Sequence, residues 1–142
     1  MILVDANLLL YARDTSSPWH VAAQRWLADR LDGAPRVGLP WQSLTAFVRI
    51  ATHPRVYERP LTADQAWDQV EQWLAPAPSW VPVPGGQHGR ILGELIRRHD
   101  IRGNLVPDAA LAALAIEHGL ELCSADSDFA RFPEIRWSNP LA

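Results

Sequence analysis

Four aspartates occupy positions where a charged side chain is unusual. Asp5 interrupts the apolar run MILVDANLLL, Asp108 follows a proline at the start of an alanine-rich stretch, and Asp126 and Asp128 lie in LCSADSDF. A buried charge without a partner is energetically costly. Neighbouring carboxylates also raise one another's pKa unless a cation lies among them. These four side chains are therefore the first candidates for chemistry.

The ligand atoms of such a group determine the chemistry that it could perform. Carboxylate oxygens without a nearby cysteine or histidine favour a hard cation, so Mg²⁺ or Mn²⁺ fits best. Mg²⁺ held by a few carboxylates keeps several waters, and one of these can be activated to attack a phosphodiester bond. The five histidines lie far apart in the sequence and lack ligand spacing, which argues against a zinc site.

Each acid also has a structural explanation when it is taken alone. Asp5 or Asn7 could cap a helix that begins at Leu8, and Asp108 could complement the positive end of its own helix. Asp126 and Asp128 could be turn and cap residues of a short segment. The metal hypothesis therefore depends on whether the four side chains converge.

The pattern of secondary structure is typical of an α/β fold. Short apolar segments alternate with longer amphipathic ones, which indicates a mainly parallel sheet. We predict strands at 2–5, 36–39, 80–83 and 120–124, a possible fifth at 135–137, and helices at 17–31, 41–52, 62–74, 87–99 and 107–118. The prolines around the third strand place it at an edge of the sheet.

This arrangement predicts that the four acids meet. In an open parallel sheet, the carboxyl ends of the strands and the amino ends of the following helices share one edge, where ligands bind. Asp5 ends the first predicted strand, and Asp126 and Asp128 lie just past the fourth. Asp108 lies in the first turn of a helix. All four are expected at the same edge.

The composition is typical of a single globular domain, residues 1–142, with 48% hydrophobic and 20% charged residues. No apolar run is long enough for a transmembrane helix, and a secretory signal is not expected. The single cysteine, Cys123, cannot form an internal disulfide, which favours a reducing cytoplasm. The net charge is −3, so no overall positive field recruits nucleic acid.

All 13 cationic side chains are arginines, whose planar guanidinium suits phosphate. Five of them lie on segments that could border the acidic site and bind the phosphates of a substrate. These five are Arg13, Arg49, Arg55, Arg59 and Arg131. Taken individually, each is more simply explained as a solvated side chain or a structural salt bridge.

Four segments together resemble a PIN domain, specifically a toxin ribonuclease of the VapC type. They follow one another in order through nearly the whole chain and read MILVDANLLLYA, LPWQSLTAFVRIATHPR, GNLVPDAALAALAIEHG and LCSADSDFARFP. The resemblance implies a three-layer fold with a central, mainly parallel sheet of four to five strands flanked by helices. It also implies a Mg²⁺- or Mn²⁺-dependent endoribonuclease that leaves 5′-phosphate and 3′-hydroxyl ends.

The resemblance further implies partners and site residues. The substrate would be a structured cellular RNA such as transfer or ribosomal RNA, a VapB-type antitoxin would bind and silence the chain, and the chain would form a homodimer. The positions that match the family's catalytic carboxylates and their supporting polar residues are Asp5, Asp108, Asp126, Asp128, Asn7 and Ser124. The first three of these would bind the metal.

One residue of the family has no counterpart in this chain. The family supplies a glutamate from the helix after the second strand, but here that helix reads WQSLTAFVRIAT. The residues near the expected position, Ala46 and Phe47, are apolar. Gln42 or a water could take the place of the glutamate. The missing carboxylate leaves open an alternative, in which the chain is a weak or inactive PIN-like module that binds RNA or a partner.

Two other classes of protein also place an aspartate after the first strand. A phosphatase of the haloacid dehalogenase type needs a second aspartate two residues later, where this chain has Asn7. A receiver domain needs an early acid pair and a lysine near its end, and this chain contains no lysine. The sequence therefore disfavours both.

Overall fold

The computed structural model describes residues 1–142 and contains one sheet of five parallel strands. The strands are β1 (Ile2–Val4), β2 (Val37–Gly38), β3 (Ser79–Trp80), β4 (Glu121–Cys123) and β5 (Trp137–Ser138). Their order in the sheet is β3-β2-β1-β4-β5, so β1 lies at the centre. In its register, Ile2 pairs with Val37 on one side and with Glu121 on the other. The predicted parallel sheet is confirmed, and the third strand lies at an edge as expected.

Six α-helices cover the two faces of this sheet. They are α1 (Ala6–Arg13), α2 (His20–Leu31), α3 (Trp41–Ala51), α4 (Ala63–Leu74), α5 (His88–His99) and α6 (Val106–His118). Two short 3₁₀ helices, Gly103–Leu105 and Ser127–Arg131, precede α6 and follow β4. None of the helices combines the length and the hydropathy needed to cross a membrane.

The hydrophobic core has two halves separated by the sheet, which makes the fold three layers deep. Successive side chains of a strand point to opposite faces. Ile2 and Val4 accordingly pack with α1 to α4, whereas Leu3 packs with α5 and α6. All three side chains are buried. Their burial on both faces gives Asp5, the next residue, a rigid point of attachment.

Local sequence signals account for several helix ends. Thr62 and Gln65 form a capping box at α4, in which each side chain accepts the backbone N–H of the other residue, at 3.1 and 3.0 Å. Pro107 lies in the first turn of α6, where a missing N–H costs little. Gly119 ends α6 with a φ of 66°, in the left-handed region that favours glycine.

The structure differs from the predicted elements mainly around the first connection. A helix, α1, begins at Ala6 directly after Asp5, two residues before the start at Leu8 that the capping alternative assumed. The helix predicted at 17–31 begins only at His20, because Ser17 starts a turn whose hydroxyl accepts the Trp19 N–H at 3.1 Å. Ser124 was predicted inside the fourth strand but lies just past it, where its side chain donates to Asp5 at 2.6 Å.

Candidate metal centre

Asp5 leaves the central strand and caps the helix that follows. Its Oδ1 accepts the Ala6 N–H at 2.8 Å, and it is the N-cap residue of α1. Its Oδ2 accepts the Ser124 hydroxyl at 2.6 Å and the Asn7 side-chain amide at 3.3 Å. The capping role considered for Asp5 alone is therefore real. It also fixes the orientation of the carboxylate at the edge of the sheet.

Asn7 and Ser124 join the end of β1 to the loop after β4. The Asn7 amide donates to the Ser124 hydroxyl at 3.1 Å, and its carbonyl oxygen accepts the Ala125 N–H at 3.3 Å. The Ser124 hydroxyl, which is fully buried, also accepts the Asp126 N–H at 3.0 Å. Both predicted supporting residues thus lie between the acids, and one hydroxyl contacts Asp5 and the backbone of Asp126.

Asp108, Asp126 and Asp128 form a compact group of carboxylates. One oxygen from each lies within 4.8 Å of the others. Asp126 is the N-cap of the 3₁₀ helix after β4 and accepts the Asp128 N–H at 2.8 Å. Arg131 lies 3.5 Å from the Asp128 carboxylate and is the arginine that directly borders the site. The predicted meeting of α6 with the end of β4 is therefore present in the structure.

Asp5 lies beside this group rather than inside it. It is not one of the three acids that share the 4.8 Å spacing. Its negative charge nonetheless contributes to raising the pKa of Asp108, and the charge of Asp126 contributes to raising the pKa of Asp5. The structure therefore brings all four predicted acids to one edge of the sheet, with three in ligand spacing and the fourth adjacent.

The pKa of Asp108 reports how unfavourable this concentration of charge is. This pKa is raised from 3.8 to about 6, first by burial and further by the negative charges of Asp126, Asp5 and Asp128. The guanidinium of Arg131 opposes the shift but does not offset it. Without a stronger cation, one proton is thus retained by the group at mildly acidic pH.

Burial is also the main reason that the pKa of Asp5 is raised. The hydrogen bonds from the Ser124 hydroxyl and the Ala6 N–H act in the opposite direction, because they favour the charged form. The negative charge of Asp126 raises the pKa further. The two strand-end acids are therefore held close together despite their mutual repulsion.

The residues at this edge fit a hard divalent cation. Every ligand atom in the group is a carboxylate oxygen, and neither a histidine nor a cysteine belongs to it. Such a donor set favours Mg²⁺ or Mn²⁺ over zinc. The raised pKa values have the same implication, since a cation among the carboxylates would remove the cost of keeping them ionised.

The helix after the second strand adds no carboxylate to the site. Phe47, near the expected glutamate, is fully buried and packs edge-on against Trp73 at 4.8 Å between ring centroids. The polar side chains of α3 that contact the elements of the site, Gln42 and Ser43, lie in its first turn instead. Gln42 donates from its side-chain amide to the Pro107 carbonyl at 2.8 Å, which ties α3 to the start of α6 next to Asp108.

Sequence reasoning missed one further residue that builds the site. Ser43 is fully buried, and its hydroxyl donates to the Val4 carbonyl at 2.7 Å, directly before Asp5. The available signal was a serine on the otherwise apolar face of α3 that carries Leu44 and Phe47. A buried hydroxyl needs a hydrogen-bond partner. Its position implies that the start of α3 packs on the end of β1.

The remaining predicted arginines do not contact the carboxylates. Arg13 and Arg59 line a separate cavity at the far end of α1. Arg49 and Arg55 are exposed and form no salt bridge. Of the five arginines expected near the site, only Arg131 lies within 4.0 Å of one of its acids.

Comparison with known proteins gives a consistent result. The family model of the PIN domain matches residues 2–135. The chain is 49% identical over 143 residues to ribonuclease VapC37 of Mycobacterium tuberculosis, and the alignment covers 100% of this chain and 99% of the relative.

Two solved structures share the fold at low sequence identity. VapC20 of Mycobacterium tuberculosis, described as a sarcin-ricin loop cleaving toxin, has a TM-score of 0.69 at 22% identity, covering 96% of this chain and 99% of its own. A toxin–antitoxin complex from Klebsiella pneumoniae contains a chain with a TM-score of 0.64 at 18% identity, covering 99% of this chain and 98% of that one. At these identities the two matches establish the fold alone.

Proposed function

This chain belongs to the PIN domain family, and from that membership we propose that it is a metal-dependent endoribonuclease and the toxin of a toxin–antitoxin pair. One observation within the molecule carries the proposal. Asp108 of α6 meets Asp126 and Asp128 of the 3₁₀ segment after β4 within 4.8 Å, with Asp5 beside them. A fold maintains such repulsion more readily when the group serves a function.

Asp5, Asp108 and Asp126 would hold a Mg²⁺ or Mn²⁺ ion, with Asp128 in support. When bound, such a cation lowers the pKa of a water and neutralises negative charge on phosphate oxygens. Asn7 and Ser124 fix the carboxylate of Asp5 through hydrogen bonds of 3.3 and 2.6 Å. These residues thus position the charged groups before substrate arrives, which is the arrangement that electrostatic catalysis requires.

The start of α3 has a corresponding positioning role. Ser43 holds it on the end of β1, and Gln42 holds it on the start of α6. These two contacts connect three elements that meet at the site. We therefore infer that Gln42 supports Asp108 through the backbone of Pro107, although it does not replace the charge of the missing glutamate.

The proposed substrate and inhibitor are inferred from the names of the similar proteins. The name of VapC37 and the toxin–antitoxin complex support RNA as the substrate and a VapB-type antitoxin as the inhibitor. We propose a structured RNA, ribosomal or transfer RNA, as the target class, and the description of VapC20 as a sarcin-ricin loop cleaving toxin is compatible with a structured target. We further propose a homodimer and a cytoplasmic location. The free, buried Cys123 is compatible with a reducing compartment.

A second candidate function is an inactive RNA- or partner-binding module, and the absence of a carboxylate on α3 favours it. The two candidates differ in a direct experiment. Purified chain is incubated with total RNA in 5′-end-labelling assays, with Mn²⁺ or with EDTA. The nuclease is expected to produce 5′-phosphate ends with Mn²⁺ and none with EDTA. RNA that stays intact with Mn²⁺, while the chain still binds it, would support the binding module instead.

A further inference from the structure

A cavity lies at the opposite end of α1 from the carboxylates. Its volume is about 160 Å³. We call it the Arg13–Arg59 pocket, and the residues that define its rim and floor are Leu10, Arg13, Asp14, Phe47, Tyr57 and Arg59. The first three come from the end of α1, Phe47 comes from α3, and the last two come from the loop after α3. The pocket thus has an apolar floor and a charged rim.

Backbone hydrogen bonds hold this pocket in shape. The Leu61 N–H donates to the Ala51 carbonyl at 2.9 Å, which pins the far end of the loop to the end of α3. Within the loop, the Tyr57 N–H donates to the His53 carbonyl at 3.2 Å. On the other wall, the Asp14 N–H donates to the Leu10 carbonyl at 2.9 Å. The rim side chains are therefore carried by anchored backbone.

The two arginines of the rim have no partner within the protein. Neither guanidinium lies within 4.0 Å of a carboxylate, although four other arginines of the chain do. One oxygen of the nearby Asp14 carboxylate, Oδ1, accepts the Ser16 N–H and hydroxyl at 3.0 and 2.6 Å. Each guanidinium carries five N–H donors. The rim therefore presents two guanidinium groups that form no salt bridge, beside one acid that is hydrogen-bonded through Oδ1.

Helix electrostatics explains only part of this arrangement. Arg13 lies in the last turn of α1, where a cation complements the negative end of the helix dipole. That explanation does not extend to Arg59, which lies in the loop. It also does not account for the cavity between the two side chains, with Phe47 at its base. A ligand that uses both guanidinium groups accounts for all three features.

The chemistry of the rim favours a phosphate group attached to a partly apolar body. Arginine binds phosphate through two parallel N–H donors. Burial raises the pKa of the Tyr57 hydroxyl, and the neighbouring Asp14 and Tyr11 add to the rise, so this hydroxyl stays protonated and can donate as well. A volume of about 160 Å³ admits a phosphate and part of its ribose, whereas drug-sized ligands occupy roughly 300 Å³ or more.

The pocket and the carboxylates lie at opposite ends of the same helix, α1. Asp5 is the N-cap of α1 and Asp14 is its C-cap. The eight residues of the helix separate them by about 12 Å. One strand of stacked nucleic acid advances about 3.4 Å per nucleotide, so roughly three to four nucleotides bridge that distance.

We propose that the Arg13–Arg59 pocket binds a phosphate of the RNA substrate roughly three to four nucleotides from the bond that is cleaved. This inference rests on the proposed nuclease function. It assigns the two arginines to substrate positioning and leaves the chemistry to the carboxylates. It also gives the chain a local cationic contact for RNA despite its net charge of −3.

The test compares the double variant R13Q/R59Q with the double variant R25Q/R97Q. Arg25 and Arg97 are exposed and unpaired on α2 and α5, so the control removes the same charge elsewhere. Binding of a fluorescent twelve-nucleotide single-stranded RNA is followed by anisotropy in EDTA over a series of salt concentrations. We expect R13Q/R59Q to bind about tenfold more weakly, and its salt slope to fall by about 0.7 per lost phosphate contact. The control should retain nearly wild-type affinity.

RNA length provides a second readout. A two-nucleotide RNA is too short to reach both the carboxylate site and the pocket, so R13Q/R59Q should weaken its binding less than that of the long RNA. Equal affinity of wild type and R13Q/R59Q for the long RNA would overturn the inference, as would equal weakening in the control. Displacement of the long RNA by hexaglutamate as readily as by inorganic phosphate would assign the pocket to acidic peptide instead.

Two further measurements keep the outcome clear. The urea midpoint of R13Q/R59Q should match that of wild type. If it does not, the test is made with the single exposed change Arg59→Gln, which should lower RNA affinity by about threefold. Because binding is measured in EDTA, it is independent of cleavage. A chain that binds RNA through this pocket but cuts none would refute the proposed function and retain the pocket.

Discussion

The Asp108→Asn variant is expected to cleave RNA at least about a thousandfold more slowly than the wild-type chain, a loss of about 4 kcal/mol of transition-state stabilisation. Asparagine keeps the shape of the side chain but removes one negative ligand atom from the group that Asp126 and Asp128 share with it. The change should therefore affect the cation rather than the fold. Cleavage rates of a labelled structured RNA in Mn²⁺ measure the effect.

Asp68→Asn is the matched control for this prediction. Asp68 is an exposed aspartate on α4 that forms no salt bridge, so its substitution removes the same charge away from the site. It should cleave at nearly the wild-type rate. Asp108→Asn that cuts as fast as Asp68→Asn would remove Asp108 from the catalytic group. Asp5→Asn provides an independent check on the acid at the end of β1.

Mn²⁺ affinity is expected to rise about tenfold between pH 5 and pH 7, because the cation must displace the proton held at Asp108. The pKa of that carboxyl is about 6 in the folded chain. At pH 5 only about one molecule in ten has it ionised, and at pH 7 nearly all do. Calorimetric titration with Mn²⁺ at pH 5, 6 and 7 measures the change. The Asp108→Asn variant should bind more weakly and lack this step.

The same shift has a consequence for stability without metal. The folded chain holds the Asp108 proton more tightly than the unfolded chain, whose pKa is near 3.8. The contribution of this group to folding is therefore full below that value and is lost as the pH rises through about 6. Because Asp108 is partly exposed and solvent screens its charge, the loss is about 1 kcal/mol. Metal-free Asp108→Asn should consequently unfold at higher urea than wild type at pH 7.5, and a lower midpoint would contradict the prediction.

Much of the fold could be predicted from the sequence because its signals are local. The capping box at Thr62, the proline at the start of α6 and Gly119 at its end each determine a helix terminus by themselves. The parallel sheet followed from the alternation of apolar segments, and the prolines near β3 indicated the edge. Each of these features depends on a few residues that are close together in the sequence, so it can be recognised without the fold.

The parts that could not be predicted depend on contacts between distant residues. The start of α1 at Ala6 is determined by Asp5 as N-cap, but Asp5 is also held by Ser124, which is 119 residues away. The contact of Gln42 with Pro107 spans 65 residues. No periodicity within one segment reveals such pairings. The arginines illustrate the same limit, since only the folded chain separates Arg131 at the acids from Arg13 and Arg59 at the far end of α1.

The catalytic roles of the four acids and their two supporting residues remain predictions, and their shared basis is a single site for a divalent cation. Crystals of the chain soaked in Mn²⁺, with anomalous diffraction recorded at the manganese edge, test that basis most directly. We expect one strong peak between the carboxylates of Asp5, Asp108 and Asp126, with the carboxylate of Asp128 next to it. A map without a peak there, or with manganese only at surface acids such as Asp68, would contradict the account.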